Sequence, residues 1–178
     1  MKISVRQLVL GAMCLALALF LPFLTGQIPE IGSMISPMHI PVLLCGFLCG
    51  GPIAAIVGLI APLLRSLMFS MPPMFPTATA MAFELAAYGL LAGLFYRLLP
   101  KSILNLYVSL ILAMLGGRIV WGIVMWLITM NGNGFTFQAF LSGAFIKAWP
   151  AILIHIVIIP PIVLALKRAK LIQETVHA

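Results

Sequence analysis

Charged residues are what this sequence has least of. Its 178 residues include ten lysines and arginines and three acidic residues, which together make up 7% of the chain. A soluble domain carries about 25% charged residues, so a surface facing water could not be covered here. With 63% hydrophobic residues the chain is also far too apolar to be disordered. We therefore predict an all-α integral membrane protein with almost no extramembrane part.

Catalytic and metal-binding motifs are lacking as well. The sequence has no HExxH zinc motif, no GxSxG nucleophile elbow and no Walker A motif. Without a Walker A motif the chain is not expected to hydrolyse ATP by itself. The three cysteines, Cys14, Cys45 and Cys49, lack CxxC or zinc-knuckle spacing, and we interpret them as small buried hydrophobes. We predict no metal, no cofactor and no enzymatic activity.

Long apolar runs are what the sequence does have. A membrane span needs about 20 apolar residues, so the length allows five or six helices and a single transmembrane domain over 1–178. The first run is too long for the apolar part of a signal peptide, and we expect it to be a retained helix. Segments rich in Gly and Pro mark the breaks. The predicted helices cover about 5–24, 39–50, 52–70, 78–99, 103–130 and 137–167, the last kinked at Pro160 and Pro161.

The basic residues at the helix ends predict the topology. Six spans place both termini on one side, and the cationic residues collect there, whereas the opposite side has only Glu30. By the positive-inside rule both termini are cytoplasmic, so the net charge of +7 reports orientation and not nucleic-acid binding. The outer loops are the longer ones, which suggests capture of a ligand there. The cytoplasmic cations are Lys2, Arg6, Arg97, Lys101, Lys167, Arg168 and Lys170.

Four ionisable residues remain inside the spans. Each costs about 2.5–3.5 kcal/mol to insert, so each should face the interior with a partner. Arg65 and Glu84 lie at similar depths and are candidates for an ion pair, while a direct ligand role for Glu84 stays open. Arg118 and Lys147 then lack an acidic partner. This surplus of two positive charges favours an anionic ligand.

The neighbours of these charges resemble the lining of a binding site. Arg118 shares a helix face with Trp121, and Glu84 shares one with Tyr88. Each aromatic taken alone is more often a core or membrane-interface residue, whereas the set together favours a site for a small organic ligand. The candidate substrate-binding residues are His39, Glu84, Tyr88, Arg118, Trp121, Asn131, Lys147 and Ala151.

Three segments resemble a known family. They are the small-residue pair Ala12 and Ala16 in the first helix, residues 40–52 (IPVLLCGFLCGGP) and residues 84–97 (ELAAYGLLAGLFYR). With the six-helix layout, they resemble the substrate-binding S component of energy-coupling factor (ECF) transporters, the vitamin importers of bacteria and archaea. The resemblance covers most of the chain.

The resemblance implies a function and partners. It implies a multi-pass protein of the bacterial cell membrane that binds a small vitamin or precursor with high affinity near the outer face. The pocket would be lined by helices four to six and by loops one, three and five. Ala12 and Ala16 would dock on a transmembrane scaffold subunit attached to two ABC ATPases, and the S component would deliver substrate by toppling in the bilayer. Taken without the resemblance, the same two alanines are more typical of an internal packing face.

The substrate and the class of protein leave alternatives. Surplus cations favour a carboxylate or phosphate-like group, and pantothenate fits best, because segments 37–41 and 63–69 also resemble the pantothenate-type branch. Niacin and biotin are anionic alternatives, while hydroxymethylpyrimidine or pyridoxine would require Glu84 to dominate. A stand-alone secondary transporter or channel would fit the composition, although no inverted repeat is present. A small intramembrane enzyme is a further alternative.

Overall fold

The structure, a computed structural model, describes residues 4–25, 35–100, 102–130 and 135–169. Every regular element within these ranges is helical, which confirms the predicted all-α class. A 3₁₀ turn, Leu21–Thr25, extends the first helix, and π-helical turns, Met74–Ala78 and Ser142–Ile146, precede the fourth and the last helices. The α-helices are α1 (Val5–Phe20), α2 (His39–Cys49), α3 (Gly51–Phe69), α4 (Thr79–Leu98), α5 (Ile103–Thr129), α6 (Phe137–Leu141) and α7 (Trp149–Arg168).

Five helical segments of the described chain are long and apolar enough to cross a membrane. The remaining predicted span, residues 39–50, forms α2. This helix has 11 residues and is about 16 Å long, too short to cross about 30 Å of hydrocarbon. Nine of its residues are buried, so α2 is an interior helix shielded by the others. The five candidate spans are Val5–Leu24, Gly51–Phe69, Met74–Leu98, Ile103–Thr129 and Phe137–Arg168.

The last span contains an interruption that we did not predict. The structure breaks it at Lys147 and Ala148, between the π-helical turn and α7, whereas α7 runs on through Pro160 and Pro161. Pro150 explains the restart, because proline has no N–H to donate to the preceding turn and is tolerated in the first turn of a helix, where Pro150 is the second residue. The interruption therefore lies between α6 and α7, near the start of the last span.

Glycines allow α4 to occupy the centre of the bundle. It packs against α2, α3 and α5, and its contacts with α2 and α3 are backbone to backbone. A methyl group on Gly46 would lie 2.8 Å from the carbonyl oxygen of Gly89. A methyl group on Gly89 would lie 2.6 Å from the carbonyl oxygen of Ala54. Because of this close approach, α4 is enclosed on several sides, and Glu84 and Tyr88 on it are buried.

Replacing one of these glycines should destabilise the bundle. A methyl group on Gly58 would lie 2.5 Å from the carbonyl carbon of Leu85, and backbone cannot move aside. We expect Gly58→Ala to lower the free energy of unfolding in detergent by about 1–3 kcal/mol. Gly116→Ala is the matched control, because its methyl group meets the end of the flexible Leu91 side chain. Equal losses in thermal-unfolding measurements of the two variants would contradict the proposed backbone contact.

Candidate functional site

Glu84 is the centre of a buried polar site. Its side chain is 2% exposed, and its Oε1 atom accepts a hydrogen bond from the Tyr88 hydroxyl at 3.0 Å. The Nη1 atom of Arg118 lies 3.0 Å from the same oxygen and forms an ion pair with it. The Nε2 atom of His39 lies 3.7 Å from this oxygen. Three helices, α2, α4 and α5, thus direct polar side chains to one carboxylate.

His155 lies on a fourth helix, α7, and is also part of the site. Its ring is stacked on the ring of His39, with centroids 5.9 Å apart and planes inclined by 22°. The ring of Tyr88 lies 5.3 Å from that of His39. Each of these side chains is buried. We call His39, Glu84, Tyr88, Arg118 and His155 the polar cluster.

Gly117 makes room for one member of the cluster. It is buried in α5 beside Arg118, and a methyl group built on it would overlap the ring of Tyr88. The close approach of α5 to α4 at this point brings Arg118 within reach of Glu84. Glycine here is required by packing, since its backbone is ordinary helix.

Four polar atoms of the cluster are buried without a hydrogen-bond partner among the described residues. Leaving a buried polar atom unpaired costs about 1–3 kcal/mol, and more than 90% of such groups in native proteins are paired. Their concentration in one cluster makes this cluster the candidate binding site. The atoms are Nδ1 and Nε2 of His39, Nε of Arg118 and Nε2 of His155.

The structure corrects the predicted ion pair between Arg65 and Glu84. Arg65 donates through Nη1 to the backbone carbonyl of Leu19, near the end of α1. Its guanidinium lies 4.8 Å from the ring centroid of Phe23 and 5.3 Å from that of Phe69. Gly58 lies against Leu85 and Gly89 against Ala54, a register that places Arg65 level with about residue 78 and not with Glu84. Arg65 faces α1, while Glu84 faces α2 and α5. Arg65 thus stabilises the negative end of the α1 dipole.

The two cations that we predicted to be unpaired, Arg118 and Lys147, are not unpaired together in one site. Arg118, which we predicted to lack an acidic partner, is paired with Glu84. Lys147 is exposed at the break before α7, and the structure does not bring it into the polar cluster. With neutral histidines the cluster carries no net formal charge, so the surplus does not collect at one point.

The remaining predicted site residues lie around the cluster or outside the described chain. Trp121 is half-buried one turn from Arg118, stacked on Phe140 and edge-to-face with Phe135. Ala151 is fully buried in α7, one turn before His155. Asn131 lies outside the described residues. The docking candidates Ala12 and Ala16 are both exposed on α1.

Sequence reasoning omitted His155 from the candidate site. The signal was present, because His155 follows Ala151 by four residues on one face of an apolar helix. A buried histidine in a membrane span is costly unless it has a partner, as with other intramembrane polar groups. Its partner in the site, His39, could not be identified because the two lie 116 positions apart.

The geometry of the polar cluster is typical of one class of membrane protein. A helical membrane bundle with a closed, charge-balanced polar site between its helices is suited to binding a small polar molecule. Among the described residues, no group of three or more His, Cys, Asp or Glu side chains is arranged to hold a metal ion.

Comparison with known families identifies the group. A family model described as the substrate-specific component of ECF transporters matches residues 6–163. The chain therefore belongs to this family, which confirms the resemblance seen in its motifs. No curated protein and no solved structure matches it. Members of this family are multi-pass membrane proteins that act as substrate-binding transport subunits and not as enzymes. Membership implies a small-molecule substrate, with an ECF scaffold and ATPases as partners.

Removing one member of the central ion pair should destabilise the bundle. In Glu84→Gln the Arg118 guanidinium stays buried without its counter-ion, and we expect a loss of about 3 kcal/mol in detergent unfolding experiments. The double variant Glu84→Gln/Arg118→Met should recover part of this loss, because the unpaired charge is then removed. Lys147→Met, which neutralises an exposed lysine, should change little. Additive losses in the double variant would show that the two side chains do not interact.

Proposed function

We propose that the chain captures a small hydrophilic vitamin or vitamin precursor in the polar cluster and delivers it into a bacterial cell. The observation that carries this proposal is the group of four unpartnered buried polar atoms around the Glu84–Arg118 pair. A bound molecule with several hydrogen-bonding groups would satisfy them together. Membership of the ECF substrate-specific family supports the direction of this transport.

Pantothenate remains the proposed substrate, on a different physical basis from charge. Arg118 is paired and Lys147 is exposed, so a surplus of cations no longer selects an anion. What supports pantothenate is its set of groups: a carboxylate can accept from the free Nε–H of Arg118, and hydroxyl and amide groups can pair with the two imidazoles. Niacin and biotin carry the carboxylate but fewer hydroxyls. A pyrimidine or pyridoxine would have to compete with Tyr88 and Arg118 for Glu84.

We propose that the scaffold subunit docks on α1. Of the five candidate spans of the described chain, the one containing α1 is the least buried. Ala12 and Ala16 are exposed on it, and small residues four apart let another helix approach closely. The scaffold subunit would pack on this surface, and toppling of the bundle would then turn the polar cluster toward the cytoplasm. ATP hydrolysed in the partner subunits would supply the free energy.

The substrate and its site can be tested by calorimetry on the purified protein. We expect pantothenate to bind the wild type, and Arg118→Met or His39→Phe to weaken binding about 10–100-fold, equivalent to about 1–3 kcal/mol per lost interaction. Lys147→Met should bind as the wild type does, since Lys147 lies outside the cluster. Equal weakening by Lys147→Met would place the site elsewhere. Co-purification of a pyrimidine or pyridine vitamin, seen by mass spectrometry, would contradict the proposed substrate.

Docking can be separated from binding with bulky substitutions on α1. Ala12→Trp and Ala16→Trp should abolish substrate uptake into cells, because a large ring prevents close helix contact, while leaving substrate affinity unchanged. Leu112→Trp, on the exposed side of α5, is the matched control and should leave uptake intact. Normal uptake by both α1 variants would show that the scaffold docks elsewhere. Uptake by the purified chain in liposomes without partners would instead support the stand-alone transporter.

A further inference from the structure

Both ring nitrogens of His39 are buried and unpaired. The residue is 3% exposed at the start of α2, and neither Nδ1 nor Nε2 has a hydrogen-bond partner among the described residues. The backbone N–H of His39 is paired, because it donates to the carbonyl of Ser36 at 3.0 Å. The unmet hydrogen bonds of this residue therefore belong to its ring.

Glu84 determines which nitrogen of His39 carries the hydrogen. Nε2 of His39 lies 3.7 Å from Oε1 of Glu84, which is too far for a hydrogen bond but close enough for a strong electrostatic interaction. A lone pair on Nε2 would face the negative oxygen and be repelled, whereas an N–H group there is attracted. A neutral imidazole carries hydrogen on one nitrogen only, so Nδ1 is the lone-pair acceptor.

The His39 ring is expected to be neutral because Glu84 already has a counter-ion. Nη1 of Arg118 lies 3.0 Å from Oε1, and the Tyr88 hydroxyl donates to the same oxygen at 3.0 Å. A positive charge on His39 as well would leave the cluster, which includes His155, with a net charge buried in the bundle, and such a charge is costly. His39 thus presents one buried acceptor, Nδ1.

The polar cluster contains one unmet donor, which does not satisfy this acceptor. The Nε–H of Arg118 is always a donor, and among the described residues it is unpaired, as Nδ1 of His39 is. Through their other nitrogens both side chains face the same oxygen of Glu84, so the two unmet atoms flank one region. The single proton of the Tyr88 hydroxyl is used on Glu84. A molecule between α2 and α5 could satisfy both atoms at once.

We infer that the substrate bridges α2 and α5, donating an O–H or N–H hydrogen to Nδ1 of His39 and accepting one from Nε–H of Arg118. This inference rests on the proposed function and narrows its substrate class to molecules that carry both a donor and an acceptor. His39 is then a residue that determines specificity. Nicotinate, whose carboxylate and ring nitrogen are all acceptors, leaves Nδ1 unpaired and binds weakly.

The hydrogen on His39 can be located without any substrate. The probe is the purified chain labelled with ¹⁵N at histidine, and long-range ¹H–¹⁵N spectra report which ring nitrogen carries hydrogen. We expect His39, assigned by the loss of its signals in His39→Asn, to carry hydrogen on Nε2 alone. Hydrogen on Nδ1, alone or together with Nε2, would overturn the inference, because Nδ1 could then accept nothing. The identity of the vitamin does not enter this result.

The specificity can be measured by calorimetry with pantothenate and two analogues that lack a donor. One has hydrogen in place of both hydroxyl groups, and the other has a methyl group on the amide nitrogen. The wild type should bind at least one of them about 100-fold more weakly than pantothenate, because a site built to pair a donor rejects ligands that lack it. Binding of both analogues at full strength would overturn the inference. If the wild type binds no pantothenate, the proposed substrate fails, and the position of the hydrogen on His39 still decides the inference.

Two substitutions separate the two nitrogens of His39. The side-chain oxygen of Asn lies as many bonds from Cβ as Nδ1 does, whereas the polar end of Gln corresponds to Nε2. His39→Asn should therefore keep at least about 10-fold discrimination against the weakly bound analogue, while in His39→Gln it should fall to a few-fold. Lys147→Met, outside the cluster, is the control and should discriminate as the wild type does. Equal discrimination by the Asn and Gln variants would overturn the role of Nδ1.

Discussion

The ion pair between Glu84 and Arg118 is the interaction on which the interior of this bundle depends. A lone carboxylate or guanidinium inside a bilayer is costly, and here each is present only because the other lies 3.0 Å away. The pair joins α4 to α5, and the same carboxylate oxygen orients Tyr88 and faces His39 of α2. Two further conditions make it possible: the glycine contacts that enclose α4 and the space at Gly117 for the Tyr88 ring.

A balanced pair also changes what the site can recognise. If both buried cations had been free, charge alone would have attracted any small anion. With Arg118 neutralised, selection passes to hydrogen bonds, whose donors and acceptors are arranged by direction and not only by sign. The imidazoles of His39 and His155 and the Nε–H of Arg118 are the groups left to make them. Recognition of this kind distinguishes molecules of equal charge, which suits a substrate-specific transport subunit.

In the proposed function, binding and docking use separate parts of the chain. The polar cluster is built from α2, α4, α5 and α7, whereas α1 contributes none of its members and presents Ala12 and Ala16 on an exposed surface. Arg65 connects the two regions, because it extends from α3 to the end of α1, from which the chain continues toward His39. On this proposal, a partner helix packed on Ala12 and Ala16 would not contact the residues of the polar cluster.

The amino-acid sequence determined the class of protein, the positions of the apolar helices and the short list of intramembrane polar residues, because composition and hydropathy are local properties. It also determined the family, through motifs that lie within single segments. Only the tertiary structure decided which charges pair. Counting residues from the helix ends places Arg65 and Glu84 at one level, but the packing of Gly58 against Leu85 shifts Arg65 by about six residues from Glu84. Arg65 then bonds to α1, and Glu84 pairs with Arg118. The contact of His39 with His155 likewise depends on packing between distant segments. Hydropathy places a side chain inside the membrane-spanning bundle, and the packing of the helices decides which partner it meets.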